Sequence, residues 1–236
     1  MFEADIATLF PEMCDAVLNC SILKRAKNLN LVDIKTHNIR HFSTDKHKKV
    51  DDYPYGGGKG MLMQANPIFR CYENTLKERK KEMHVIHLSP QGKILTQKKV
   101  LTLSKFSKPL FLICGHYEGI DQRIIDKIVD EEISIGDYVL TGGELGALVL
   151  LDAIVRLIPG VLTDKECYEE ESIFNGLLEH PQYTRPRVWE GMQVPEVLLS
   201  GHHEKIKNWK KEKSIEITKI KRPDLFNKLT SFERKK

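Results

Sequence analysis

Three strand-length apolar runs each pass directly into a turn rich in glycine or proline. The runs are residues 85–88, 109–114 and 132–140, and the turns are residues 88–92, 114–121 and 135–144. Such β-branched and aliphatic runs are typical of strands buried on both faces of a parallel sheet. Ligands of these sheets bind beyond the carboxyl ends of the strands, where glycine lets the backbone approach them. The sequence therefore predicts that the three turns form one pocket for a bound cofactor.

The order of the predicted elements favours an α/β fold. We expect strands at residues 5–10 and 31–36, and helices at residues 21–26 and 67–82. Strands and helices then alternate up to Ile158. This alternation predicts a mostly parallel sheet with helices on both faces.

One predicted helix, residues 145–158, is apolar on nearly every side and should be buried. Its only charged residues, Asp152 and Arg156, lie four positions apart. This spacing allows two interpretations of Arg156: an ion pair within the helix, or a positive charge that polarises a substrate oxygen at the domain edge. The sequence leaves both open.

The last third of the chain predicts a second, smaller unit. Residues 163–172 are polar and include three consecutive glutamates, which indicates a linker. Residues 195–200 predict a short helix that Gly201 ends, and a basic helix follows from about His203. We therefore expect three parts. These are an α/β cofactor-binding domain at 1–160, a linker at 161–175 and a small helical domain at 176–236.

The charge is distributed unevenly along the chain. The net charge is +4, yet residues 201–236 alone carry twelve Lys/Arg against five Asp/Glu. A basic terminal unit on a mildly acidic body indicates a polyanionic partner, and nucleic acid fits best. The alternative is a solubilising tail, although Trp209 and several isoleucines are interleaved with the lysines.

Several classes of protein are excluded by the motifs. There is no membrane-length apolar run, and two acids near the N-terminus argue against a signal peptide. Five scattered cysteines without a Cys-x-x-Cys pair predict reduced thiols in a cytoplasmic protein, with neither disulfides nor structural metal. The sequence lacks G-x-G-x-x-G, P-loop, H-E-x-x-H and G-x-S-x-G patterns. The glycines at residues 56–60 instead predict a flexible loop that closes over a ligand.

With these motifs assembled, the chain resembles the bacterial tRNA (guanine-N1)-methyltransferase family, which are knotted methyltransferases of the SPOUT superfamily. Besides the three turns, the resemblance rests on LFPEM at 9–13, DYPYGGG at 52–58, IPGVL at 158–162, YTRP at 183–186 and VPEVLLSG at 194–201. Each string alone is weak, but together they cover nearly the whole chain in order.

The resemblance implies that a C-terminal trefoil knot of the α/β domain holds S-adenosylmethionine, and that a homodimer shares its active sites. The product would be methylated at N1 of the guanosine immediately 3′ of the tRNA anticodon. The cofactor-binding residues carried over are Leu88, Ser89, Pro90, Gln91, Gly115, Tyr117, Glu118, Ile135, Gly136, Asp137, Tyr138, Val139, Leu140, Gly142 and Gly143.

Two catalytic residues follow from the same resemblance. Guanine N1 carries a proton and is a poor nucleophile, so methylation needs a base at N1 and a positive group at O6. Arg156 matches the family arginine at O6. The family base is an aspartate, and Glu171 stands in its place with one extra methylene; Glu170 is the alternative, and a solvated run of glutamates is the third.

Two further departures are His116, where the family usually has arginine, and Gly146, where it usually has proline. The first lowers the charge beside the second turn, and the second loosens a helix start. Two rival functions stay open. The chain could be a noncatalytic RNA-binding protein, or it could methylate another RNA or a nucleotide.

The predicted macromolecular partner is the anticodon arm of tRNA. Its phosphates would be contacted by the lysines of the basic helix, which are Lys205, Lys207, Lys210, Lys211 and Lys213. The target base must leave its stack to reach the cofactor. The family is associated with magnesium, for which the sequence offers no recognisable ligand cluster, and no membrane partner is expected.

Overall fold

The computed structural model of the protein describes residues 1–163 and 171–233, and it divides into two compact units, Met1–Thr163 and Asp164–Lys236. The strands of the first unit are β1 (Phe2–Thr8), β2 (Val32–Asn38), β3 (Asp51–Asp52), β4 (Leu62–Met63), β5 (His84–Ile94), β6 (Leu110–Cys114) and β7 (Glu131–Ser134). Its helices are α1 (Pro11–Leu18), α2 (Ser21–Asn28), α3 (Ala65–Arg79), α4 (Gln97–Leu103), α5 (Gln122–Ile128) and α6 (Glu144–Val155).

The sheet of the first unit has the order β2-β1-β6-β5-β7, and every pairing in it is parallel. All five residues of β6 are buried, as its apolar run predicts for a central strand. Helices α3 and α5 pack together, while α1, α2 and α4 pack against α6. The predicted α/β fold is confirmed, whereas the trefoil knot stays a prediction.

The three strands that precede the predicted turns are neighbours, because β5 lies between β6 and β7. Parallel strands have their carboxyl ends at one edge of the sheet, so the three turns start side by side. This is the arrangement that the apolar runs predict.

The first two strands lie within three residues of their predicted limits, but two other strand ends differ from the prediction by six residues. Strand β7 ends at Ser134 rather than at residue 140, because Gly136 adopts a φ of +151° and the chain leaves the sheet there. Strand β5 continues beyond Leu88 to Ile94, since both Leu88 and Lys93 pair with Ile133 and the intervening residues loop out. The first turn is therefore a four-residue loop, residues 89–92, within strand β5.

Helix α6 is apolar as predicted, but it is not buried on every side. Leu145 and Val149 lie four residues apart and are 45% and 48% exposed. The two residues share one face of the helix because their spacing is close to one turn. A surface of the first unit is therefore apolar where the sequence predicts complete burial.

The second unit is mainly helical, as predicted. Its elements are the hairpin strands β8 (Val188–Trp189) and β9 (Met192–Gln193), and the helices α7 (Glu196–Leu199), α8 (His203–Lys221) and α9 (Pro223–Glu233). Gly201 follows α7 with a φ of +69°, which is the left-handed conformation expected after a helix end. The part of the predicted linker at residues 164–170, including Glu170, lies outside the described residues.

Candidate functional site

A cavity of about 570 Å³ lies beyond the carboxyl ends of β5, β6 and β7. All three predicted turns line it, together with the last residues of the strands. Fourteen of the fifteen predicted cofactor-binding residues are among its lining residues; the other, Asp137, is exposed and does not line it. The volume is that of a site for a small molecule of cofactor size. The structure thus brings the predicted cofactor residues together.

The second and third turns approach each other so closely that glycine is required. The Gly143 amide donates a hydrogen bond to the Gly115 carbonyl at 3.0 Å. A methyl group on residue 143 would lie 2.7 Å from the Cα atom of Cys114, which is too close for a carbon contact with backbone. The cavity wall is therefore formed there by main-chain atoms.

A buried carboxylate holds these two turns to the start of α6. Glu144 is only 1% exposed and accepts a hydrogen bond from the Thr8 hydroxyl at 2.5 Å. Its other contact is the His116 imidazole, whose Nε2 lies 2.7 Å from Oε2. Glu144 was not among the predicted site residues, because nothing in its local sequence distinguishes it from a solvated acid at a helix N-terminus. His116 therefore contributes to the packing of the turns through Glu144.

A buried histidine, His87 on β5, lines the cavity and is 6% exposed. Its Nδ1 lies 2.9 Å from a carboxylate oxygen of Glu132, its register partner on β7. Burial lowers the pKa of His87 below its ordinary value, and the bond to Glu132 only partly opposes this. His87 was not predicted as a site residue either, although a histidine inside an apolar strand is a usable signal.

The glycine-rich segment joins β3 and β4 and lies beside the second turn. The Glu118 amide donates to the Met61 carbonyl, and the Met63 amide donates to the Gly119 carbonyl, both at 3.0 Å. Gly56, Gly57, Gly58 and Gly60 all have positive φ, and Tyr55 is 99% exposed. That this loop closes over a ligand stays a prediction.

The cysteine at the base of the second turn is unsuited to nucleophilic chemistry. Cys114 is fully buried, and burial raises the pKa of its thiol well above the ordinary range, with the Glu144 carboxylate adding to the effect. The pKa of Cys14 is raised to about 12, again chiefly by burial. Since the thiolate is the reactive form, both thiols are inert near neutral pH.

The two predicted catalytic residues belong to different units. Arg156 caps the C-terminus of α6 in the first unit and is half-buried. Glu171 is the first described residue of the second unit and is also half-buried; its carbonyl accepts a hydrogen bond from the Phe174 amide at 3.3 Å. Glu170 lies outside the described residues.

The basic helix is confirmed as α8, whose lysines are mostly exposed. One contact anchors the helix in the second unit: the buried Thr218 hydroxyl accepts a hydrogen bond from the Leu178 amide at 2.8 Å. Lys213 is paired with Glu216 at 2.6 Å, so part of the positive charge is neutralised locally.

Within residues 1–163 and 171–233, no group of three or more His, Cys, Asp or Glu side chains is placed to hold a metal ion. None of the helices in that part of the chain has the length and apolarity needed to cross a bilayer. Cys14, Cys20, Cys71 and Cys114 are free thiols, and Cys167 lies outside the described residues.

The fold and the cavity define an α/β protein with a cofactor-sized cavity at glycine-rich turns beyond the ends of parallel strands. The family model described as tRNA (Guanine-1)-methyltransferase TrmD matches residues 2–228. The chain belongs to this family, which is part of the SPOUT superfamily, so the resemblance drawn from the motifs is confirmed.

Curated relatives match the chain over nearly their whole length. A tRNA (guanine-N(1)-)-methyltransferase of Ruminiclostridium cellulolyticum is 56% identical over 95% of this chain and 96% of its own. The enzyme of that name from Clostridioides difficile is 54% identical over 94% and 96%. That from Dictyoglomus turgidum is 52% identical over 97% and 91%.

Proposed function

We propose that the protein transfers a methyl group from S-adenosylmethionine to N1 of the guanosine immediately 3′ of the anticodon in tRNA. One observation carries the proposal: in a chain of this family, fourteen predicted cofactor residues, scattered over residues 88–143, line one cavity. The relatives described above bear the name of this activity. The α/β unit would bind the cofactor, and the helical unit would bind the RNA.

The cavity fits the methyl donor in size and in chemistry. Its volume of about 570 Å³ suits a nucleoside joined to an amino acid, and at Gly115, Gly142 and Gly143 the wall consists of main-chain atoms without side chains. When bound, S-adenosylmethionine supplies a methyl group attached to a positively charged sulfur. The turn residues would orient this group and exclude water from it.

Arg156 would stabilise the negative charge that develops on guanine O6 as N1 loses its proton. A guanidinium is always charged and presents a planar set of donors, which suits an oxygen flanked by ring nitrogens. Arg156 ends α6 about 18 Å along the helix from the third turn and does not line the cavity, so support for this role comes from the match to the family arginine. An ion pair with Asp152 is the competing interpretation.

Glu171 would accept the proton from guanine N1. A carboxylate can do so when it is held within hydrogen-bonding reach of the nitrogen. The extra methylene relative to aspartate moves the carboxylate by about one bond length, so the backbone around residue 171 must compensate. The Phe174 amide, which bonds to the Glu171 carbonyl, begins a turn that could set this position.

The exposed lysines of α8 support tRNA binding by phosphate contact, which positions an RNA without reading its sequence.

A homodimer is proposed as well. Leu145 and Val149 on α6, and Met13 and Val17 on α1, are partly exposed apolar side chains on two helices that pack together. Free thiols agree with a reducing compartment, and we place the protein in the cytoplasm.

A methyl-transfer assay with labelled S-adenosylmethionine and unmodified tRNA tests the function. The expected product carries the label at N1 of the guanosine beside the anticodon. RNA binding without incorporation would instead favour the noncatalytic alternative. Label at another base would favour a different RNA substrate.

The choice of base is tested by paired variants in the same assay. Glu171→Gln removes the proton acceptor and should lower the single-turnover rate by about 10²-fold or more. Glu171→Asp should retain much of the rate, and Glu170→Gln is the matched control. If Glu170→Gln is the variant that loses activity, Glu171 is not the base.

A further inference from the structure

The imidazole of His87 offers one unused polar atom to the cofactor cavity. Its Nδ1 is engaged by Glu132 at 2.9 Å, and a carboxylate can only accept, so Nδ1 carries the proton. In the neutral ring Nε2 then holds a lone pair. No described residue forms a hydrogen bond to Nε2, although the side chain is more than nine-tenths buried.

The Nε2 atom is directed toward the second turn. A methyl group on residue 115 would lie 3.2 Å from Nε2, so this atom borders the space that the absent side chain of Gly115 leaves open. Both residues line the cavity. In the described chain, every fully buried side-chain nitrogen or oxygen has a partner, so Nε2 keeps some access to the cavity. A buried acceptor in this position needs a donor, which ordered water or a bound ligand can supply.

We infer that His87 Nε2 accepts a hydrogen bond from an uncharged O–H or N–H group of the nucleoside half of the methyl donor. This assignment rests on the proposed cofactor. Around His87 the cavity is lined by Leu88, Ile120 and Ile133, which cannot compensate the charge of an ammonium group. The nearby carboxylate of Glu132 is engaged by Nδ1. A neutral hydroxyl or amine can donate to the Nε2 lone pair without the cost of burying an uncompensated charge.

The strand itself provides a matched control. His84 lies three residues earlier on β5 and binds a neighbouring carboxylate, Glu131, at 2.7 Å. Neither His84 nor Glu131 lines the cavity. The substitution His84→Phe therefore breaks a similar histidine–carboxylate pair without changing a residue that lines the cofactor cavity.

Calorimetric titration of the full-length protein with S-adenosylhomocysteine and with 5′-methylthioadenosine, which lacks the amino-acid half, tests the inference. His87→Phe should raise the Kd for both ligands about tenfold, the effect of one lost buried hydrogen bond. His87→Gln restores an acceptor and should recover part of the loss. His84→Phe should bind both ligands within about twofold of the original protein.

The outcomes separate the inference from the proposed function. If the unmodified protein binds neither ligand, the proposed cofactor is wrong. If it binds both and His87→Phe binds them equally well, the assignment of His87 is overturned. A loss confined to S-adenosylhomocysteine would overturn the assignment to the nucleoside half.

A spectroscopic measurement on the unmodified protein tests the inference even if the His87 variants fail to fold. In the unmodified protein labelled with ¹⁵N-histidine, the unprotonated Nε2 resonance of His87 should shift on addition of 5′-methylthioadenosine. The Nδ1 resonance should keep its protonated position. An Nε2 resonance that is already protonated in the free protein would overturn the inference.

Discussion

At the scale of single residues, buried polar side chains set the form of the cavity. His87 and Glu144 lie almost entirely inside the first unit, and each is held by one or two hydrogen bonds to distant parts of the chain. Buried polar groups are costly unless they are paired, so each pair fixes the position of its partners. The positions of the residues that line the cavity therefore depend on contacts between strands and turns.

The titration of His87 predicts how stability depends on pH. Burial lowers the pKa of folded His87 below 6.5, whereas the unfolded chain takes up a proton near that value. The unfolded state therefore binds more protons as the pH falls from about 6.5 toward the folded pKa, and the free energy of unfolding decreases. Urea unfolding at several pH values should show a steeper decrease for the original protein than for His87→Phe. Parallel curves would contradict this.

At the scale of elements, the start of α6 illustrates how two glycines in one segment differ. A methyl group on residue 143 meets the backbone of Cys114 at 2.7 Å, whereas one on residue 146 meets the flexible Leu88 side chain at 3.4 Å. The first contact forces the turns apart, and the second is ordinary packing. Residue 146 also lies within the helix, where glycine is unfavourable.

Gly143→Ala is therefore expected to lower the free energy of unfolding by about 1–3 kcal/mol and to weaken cofactor binding. Gly146→Ala should raise that free energy by about 0.5 kcal/mol, because alanine has the higher helix propensity. Thermal and urea unfolding of both variants measure the difference. Equal effects at the two positions would show that the close approach of the turns is not rigid.

Much of the site could be predicted at this scale, because the three apolar runs and their turns carry a local signal. The central strand β6 matched its run, and Gly201 ended its helix as expected. The end of β7 was missed because Tyr138, Val139 and Leu140 favour a strand in isolation, although Val139 is 84% exposed. The partners of His87 and Glu144 were missed since each lies far away in sequence, at Glu132, Thr8 and His116.

At the scale of the whole molecule, the two units differ in the chemistry of their surfaces. The first unit exposes apolar side chains on α1 and α6, while the second carries the lysines of α8. The first pattern is typical of a surface that another protein covers, and the second is typical of one that meets phosphates. Each surface makes a separate prediction.

Removal of two exposed lysines should weaken tRNA binding and make it less sensitive to salt. For Lys205→Ala with Lys207→Ala, the slope of log K against log salt should become shallower by about 1 to 2, since each lost phosphate contact contributes about 0.9 or less. Filter binding over a range of salt concentrations measures it. The control is Lys98→Ala with Lys105→Ala in the first unit, which should leave the slope unchanged. An unaltered slope in the α8 variant would refute the placement.

A charge on the exposed face of α6 should dissociate the proposed homodimer. Val149→Glu places a carboxylate where a dimer would bury an apolar side chain, which costs several kcal/mol if the charge is unpaired. Light scattering after gel filtration should report a monomer for this variant and a dimer for the original protein. Leu29→Glu, at another exposed apolar position, is the control. A dimer that persists in Val149→Glu would place the interface elsewhere.

Six glycines line the cavity, and at these positions an inhibitor meets only main-chain atoms. Resistance to such a compound cannot arise by shortening a side chain that contacts it, because glycine has no side chain. At Gly142 and Gly143 an added methyl group would collide with the His116 side chain or with the backbone of Cys114, so a replacement there would distort the turns that shape the natural ligand's site and would handicap the enzyme itself. Compounds that address the peptide groups of the three turns should therefore select for resistance elsewhere, through altered uptake or expression.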